Sequence, residues 1–171
     1  GIHGAARSVD AWVVKLDASG NVSWQKSLGG SKQDDGTYIQ QTNDSGYIMV
    51  GNTTSADGDV SGYHDSTDIW VVKLDMHGGI EWQKCLGGSK SESSFSIRQT
   101  SDGGYVIGGS TASADGDITY NHGKGDCWVV KLDAKGSLSW QKTYGGSGDE
   151  GLFDIMQTKD GGYIMTGGTN S

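Results

Sequence analysis

The sequence predicts an all-β chain built by tandem repetition, and three observations carry that expectation. The segment Asp10-Ala-Trp-Val-Val-Lys-Leu-Asp17 returns at Asp68 to Asp75 and at Asp126 to Asp133, a step of 58 residues each time. Short runs rich in β-branched and aromatic residues alternate with Asp, Asn and Gly at turn positions. No stretch shows the 3.6-residue apolar period of an amphipathic helix.

The repeat extends through the whole unit. Trp24-Gln-Lys26 returns at Trp82 and Trp140, Gly29-Gly-Ser31 at Gly87 and Gly145, and the Gln41-Thr42 pair at Gln99 and Gln157. Taken by repeat, the divisions are 10–67, 68–125 and 126–171, with 1–9 a partial linker in which His3 stands near the place of His64 and His122. The opening residues read as the interior of a linker, so the chain is expected to be a mature or excised form.

Each unit reads as four strands. The first, Trp12 to Asp17, is apolar on both sides, as a strand covered on both faces should be. Asp17-Ala-Ser-Gly20 then supplies a turn, with an Asp able to bond its own backbone and a Gly free to take positive φ. The second strand is Val22 to Leu28 and the third about Thr37 to Thr42. A tight turn follows at Asn43-Asp-Ser-Gly46, matched by Asp102-Gly-Gly104 and Asp160-Gly-Gly162, a strong hairpin signal. The fourth strand is Tyr47 to Thr53.

Four strands in about 45 residues plus a linker is the size of one β-propeller blade. The expected architecture is therefore a β-propeller of four-stranded blades, three per chain. A β-solenoid or another stacked-sheet array is the alternative. Trp12, Trp70 and Trp128, with Trp24, Trp82 and Trp140, should be largely buried within and between blades.

Composition bounds the function. The 171 residues hold 30 Gly and no Pro, with a net charge of −8. That acidity, at a pI near 4.7, argues against nucleic acid and against an anionic membrane surface. No apolar run approaches the roughly 18 residues of a membrane span, so no membrane insertion is expected. Cys85 and Cys127 fall outside the repeat pattern and are expected to be buried or half-buried free thiols rather than a disulfide or metal site.

The pattern Val14-Lys-Leu-Asp-x-x-Gly-x-x-x-Trp24 resembles the repeat of pyrroloquinoline-quinone-type propellers. The longer pattern resembles tandem repeats of large secreted or surface-anchored bacterial and archaeal proteins: Asp68-x-Trp-Val-Val-Lys-Leu-Asp75, Trp82-Gln-Lys84, Gly87-Gly-Ser89, Gln99-Thr-x-Asp-Gly-Gly-Tyr105 and Asp115-Gly-Asp117. The resemblance covers the whole chain. It implies a secreted or cell-surface location and says little about ligand, because the shared residues look structural.

The best candidate for chemistry is the linker. Ser55-Ala-Asp57-Gly-Asp59 returns as Ser113-Ala-Asp115-Gly-Asp117, with oxygen-bearing side chains at alternate positions, as at the start of a calcium loop. The match is partial, since the sixth and twelfth places of an EF-hand loop would fall on Val60 and Ser66 rather than Gly and Glu. The other reading is turn chemistry, in which these carboxylates bond local N–H groups. His64 and His122 recur beside this linker as metal-ligand candidates or as residues bonding backbone, and His77 reads as surface. Tyr63 and Tyr120 are candidate sugar-stacking platforms or covers over a blade edge. The acidic residues Asp34-Asp35, Glu92 and Asp149-Glu150 recur in every copy, which fits a solvated loop or weak cation site better than the single carboxylate pair of a glycosidase.

No nucleophile elbow, phosphate loop or zinc spacing is present in the sequence. An enzyme site is asymmetric and would appear as a departure in one copy. The expected function is a non-enzymatic extracellular module for display, adhesion or ligand binding. The alternatives are a lectin with one site per blade, or a fragment of a quinoprotein or glycosidase propeller. Three blades cannot close a propeller, which takes roughly four to eight. The expected partners are a second copy closing a six-bladed ring or neighbouring repeats of a longer chain, with a glycan or surface protein as ligand.

Overall fold

A computed structural model describes residues 8–171, all of them in strands, turns or irregular segments with no helix among them. His3 and most of the opening linker lie outside the described residues. Twelve strands run in chain order: β1 (Ala11–Leu16), β2 (Val22–Leu28), β3 (Tyr38–Gln41), β4 (Tyr47–Thr53), β5 (Asp68–Leu74), β6 (Ile80–Leu86), β7 (Glu92–Gln99), β8 (Tyr105–Thr111), β9 (Asp126–Leu132), β10 (Leu138–Tyr144), β11 (Glu150–Gln157) and β12 (Tyr163–Thr169). All pair antiparallel.

The turns are made as the residue types dictate. Asp17 Oδ1 accepts the N–H groups of Ser19 and Asn21, both at 2.8 Å. Asp75 does the same for His77 and Gly79, and Asp133 for Lys135 and Ser137. In the β3–β4 turn Ser45 takes φ of +69°, where the equivalent positions Gly103 and Gly161 sit at +80° and +86°.

The sheets do not follow the divisions at 67 and 125 read from the repeat. One four-stranded sheet is ordered β3-β4-β5-β6 and the next β7-β8-β9-β10, while β1-β2 and β11-β12 form two-stranded sheets. Each complete sheet therefore takes two strands from one repeat and two from the next. The cause is the direction of the connections. The Gly-Gly-Ser segment after β2 or β6 carries the chain out of its sheet, whereas the longer linker after β4 or β8 brings it back alongside. Leaving β1-β2 and β11-β12 as half sheets contradicts the expectation that each repeat makes a whole blade.

Side chains pack between successive sheets. Ile48, Val50, Ile69 and Val71 of one sheet meet Ile97, Trp128 and Val130 of the next. Ala11 and Val13 of the first half sheet meet Trp70 and Val72, and Val106 and Val129 meet Leu152 and Ile155 of the last. Trp70 and Trp128 are fully buried, but Trp12 is 70% exposed, contrary to the expectation for that set. Trp12 points to the side of β1-β2 on which, among the described residues, no preceding sheet packs. Trp24, Trp82 and Trp140 are half-buried, each set against a Tyr of the following sheet: Tyr47, Tyr105 and Tyr163.

Candidate functional site

The recurring linker and the Gly-Gly-Ser segment fold onto each other, and polar side chains join them. Ser31 donates its N–H to Asp57 Oδ1 at 2.7 Å, and Gly29 donates to Asp59 Oδ2 at 3.2 Å. One repeat on, Ser89 donates to Asp115 at 2.8 Å and Gly87 to Asp117 at 3.2 Å. Hydrogen bonding from Ser31, its backbone N–H foremost, holds the Asp57 carboxyl below its ordinary range, and bonding from Ser89 does the same for Asp115. The glycine between the two carboxylates, Gly58 or Gly116, takes φ of +67° or +65°, which turns both side chains back onto the preceding loop.

Ser55 and Ser113 are buried beneath this loop. Ser55 Oγ accepts the Lys32 N–H at 3.0 Å and donates to Asp34 Oδ2 at 2.8 Å. Ser113 Oγ accepts the Lys90 N–H at 2.9 Å. The six residues Ser55, Asp57, Asp59, Ser113, Asp115 and Asp117 thus form two copies of one motif, with backbone N–H groups as their partners. Among the described residues, no three His, Cys, Asp or Glu side chains are grouped so as to hold a metal ion.

The acidic positions after Gly-Gly-Ser are not a solvated loop. Asp34 and Glu92 are fully buried and Glu150 is nearly so. Each accepts an N–H from the second glycine of the turn: Gly30 to Asp34 at 2.7 Å, Gly88 to Glu92 at 3.0 Å and Gly146 to Glu150 at 2.8 Å. Each also takes a threonine hydroxyl from the end of the fourth strand, from Thr53, Thr111 and Thr169. Burial raises the Glu92 carboxyl above its ordinary range despite these bonds. Asp35 and Asp149, the other members of the acidic pairs, are half-buried and exposed.

A second buried carboxylate, Asp68 or Asp126, lies across the first glycine of that turn. A Cβ at Gly87 would fall 2.6 Å from both Asp68 Oδ1 and Glu92 Oε2. Asp68 Oδ2 is held by His64, and Asp126 Oδ2 by His122 at 2.6 Å to ring Nδ1. Asp10 Oδ1, Asp68 Oδ1 and Asp126 Oδ1 are buried with no hydrogen-bond partner. The histidines are therefore partners of a buried carboxylate, where a backbone contact had been expected. The invariant Asp at the start of each eight-residue block was the available signal for this layer. Its burial depends on the linker folding over it.

The remaining candidates stay apart. His77 is exposed, as expected. Tyr120 is 59% exposed and stands edge-on to His122, while Tyr63 is half-buried and donates its hydroxyl to the Ser66 carbonyl. Cys85 and Cys127 are buried free thiols, and burial pushes Cys85 up to about 12. A cavity of about 470 Å³ is lined by Trp12 to Val14 of β1, by Gly36 to Ile39 at the start of β3 and by Met49 of β4. It lies beside the free edge of the first half sheet.

No protein-family model matches the chain, and no curated protein matches it.

Proposed function

We propose that this chain is a non-enzymatic extracellular repeat module, a run of β-propeller wall that serves display, adhesion or ligand binding at a secreted or cell-surface location. The observation that carries the reading is the consumption of the repeated polar residues by internal bonds. Asp57, Asp59, Asp115 and Asp117 cap backbone N–H groups, and Asp34, Glu92 and Glu150 are buried under the same turns. Groups so engaged hold one segment of chain to another, and they recur at each repeat where a reaction centre would need one asymmetric set. Successive four-stranded antiparallel meanders that pack face to face support the propeller over the β-solenoid. A glycan array tests the binding role. Binding to defined sugars would select the lectin form, and no binding would leave display or protein adhesion. Turnover of aryl glycosides or quinone-dependent dye reduction by the purified chain would overturn the non-enzymatic reading.

A further inference from the structure

The two half sheets are complementary halves of one sheet. In the complete sheets β4 pairs β5 and β8 pairs β9 in one register: Tyr47 opposite Leu74 through Thr53 opposite Asp68, and Tyr105 opposite Leu132 through Thr111 opposite Asp126. β12 stands at the place of β4 and β8, and β1 at the place of β5 and β9, yet each has one paired side only among the described residues. We propose that β12 of one copy pairs antiparallel with β1 of a second copy, completing a sheet β11-β12-β1-β2. The repeat sets the register: Tyr163 opposite Leu16, Ile164 opposite Lys15, Thr166 opposite Val13, Gly167 opposite Trp12 and Gly168 opposite Ala11.

The backbone is poised for this. Asn170 donates its N–H to Asp149, and the Gly162 carbonyl accepts from Thr158, so even-numbered groups of β12 face β11. Along a strand these directions alternate, which leaves Met165, Gly167 and Thr169 to bond outward.

Side chains on both halves lack contacts that their counterparts make. Lys73 and Lys131 are buried and reach Asp44 and Asp102 of the preceding turn at 2.9 Å, whereas among the described residues Lys15 has no such carboxylate and Asp160 no such lysine. Trp24 packs on Gly78 and Trp82 on Gly136, where a Cβ would come within 3.0 Å and 2.9 Å of the rings. Trp140 has its Tyr163 partner at 5.5 Å, but the glycine due to cover it, Gly20, has nothing within 4 Å. In the composite sheet Lys15 would meet Asp160 and Gly20 would cover Trp140. The cavity beside β1 is the space that β11 and β12 would fill, and Ile164 and Met156, 59% and 54% exposed, are the side chains brought to it. The β7–β10 sheet of the copy that supplies β12 would in turn cover Trp12. Two copies joined at both ends hold four complete and two composite sheets, and six lies within the roughly four to eight that close a propeller.

The pairing does not depend on what the module binds. It is tested on the 171-residue chain in two ways. Light scattering is expected to give a mass near twice 18.0 kDa, and a folded monomer at tens of micromolar would overturn the proposal. Register is tested by Ala11→Cys with Gly168→Cys, in a chain whose native thiols are replaced by their repeat equivalents, Cys85→Thr and Cys127→Ile. A Cβ at Gly168 meets nothing within 4 Å, and Cys already occupies the Ala11 position in the third repeat, so both changes fit. Mild oxidation should give a covalent dimer on a denaturing gel, which reducing agent returns to single chains, at least tenfold faster than Ala11→Cys with Thr166→Cys. Equal rates for the two pairs, or a disulfide formed within one chain, would overturn it.

Discussion

One oxygen of Asp68 serves His64 twice: Oδ2 accepts the backbone N–H at 3.0 Å and lies 2.7 Å from ring Nδ1. The other oxygen, Oδ1, is buried and unpaired. Desolvation pulls the His64 imidazolium down, but the bond to Asp68 and its charge outweigh this and raise the group above its ordinary 6.5. Desolvation raises Asp68 as well, so the pair holds its proton more firmly in the folded state than the separate groups do in the unfolded chain.

The stability from His64 is thus fully present below about pH 6.5 and is lost as pH rises through the raised folded value. Melting temperature is expected to fall as pH rises above about 6.5, and His64→Gln to flatten that fall. An unchanged slope in the variant would remove the pair as its cause. At the acid end the sign reverses for Asp44, which hydrogen bonds from Thr42 and Lys73 lower to about 2. Its contribution is present above its ordinary 3.8 and lost as pH drops through the folded value, so Asp44→Asn should lessen acid sensitivity.

Trp70→Ala and Trp128→Ala should each cost about 3–5 kcal/mol, the range for emptying a buried aromatic site. Trp12→Ala should cost about 0.5 kcal/mol or less in a chain dilute enough to be monomeric, because that ring is mostly in solvent. Urea denaturation of the three variants at low concentration measures the difference. Equal losses at all three positions would mean that Trp12 is covered even in the monomer.

Ser45→Gly should stabilise the chain by about 0.5–1 kcal/mol. The φ of +69° at Ser45 strains an L-residue, and Gly holds this position in the other two repeats. Thermal unfolding against the parent would show a rise of a few degrees. No change, or a loss, would mean that the unfolded-state entropy of glycine outweighs the relief.

Excess chelator is expected to leave the melting curve unchanged, because Asp57 and Asp115 already have N–H partners. Asp57→Ala with Asp115→Ala should lower the midpoint with or without chelator. A chelator-induced drop in the parent, absent from that double variant, would instead establish calcium at these loops, since an ion held only by the folded state stabilises it.

The repeat, the four strands of each unit and their turns were legible in the residues, because hairpin register and turn type are set locally. Val22–Leu28 and Tyr47–Thr53 fall where the pattern places them, and the others differ by a residue or two at their ends. That Cys85 and Cys127 are free thiols was legible as well, because neither belongs to the repeat pattern. Which strands share a sheet was decided only in three dimensions. A tandem repeat reads identically from any starting point, and whether β2 joins β3 or β4 joins β5 depends on pairing across a linker rather than on either strand. That choice also divides Trp12 from Trp70, identical in local sequence but opposite in exposure, and sinks Asp34, Glu92 and Glu150 beneath a loop. Burial belongs to neighbours far along the chain, and the local sequence carries no record of which of them are present.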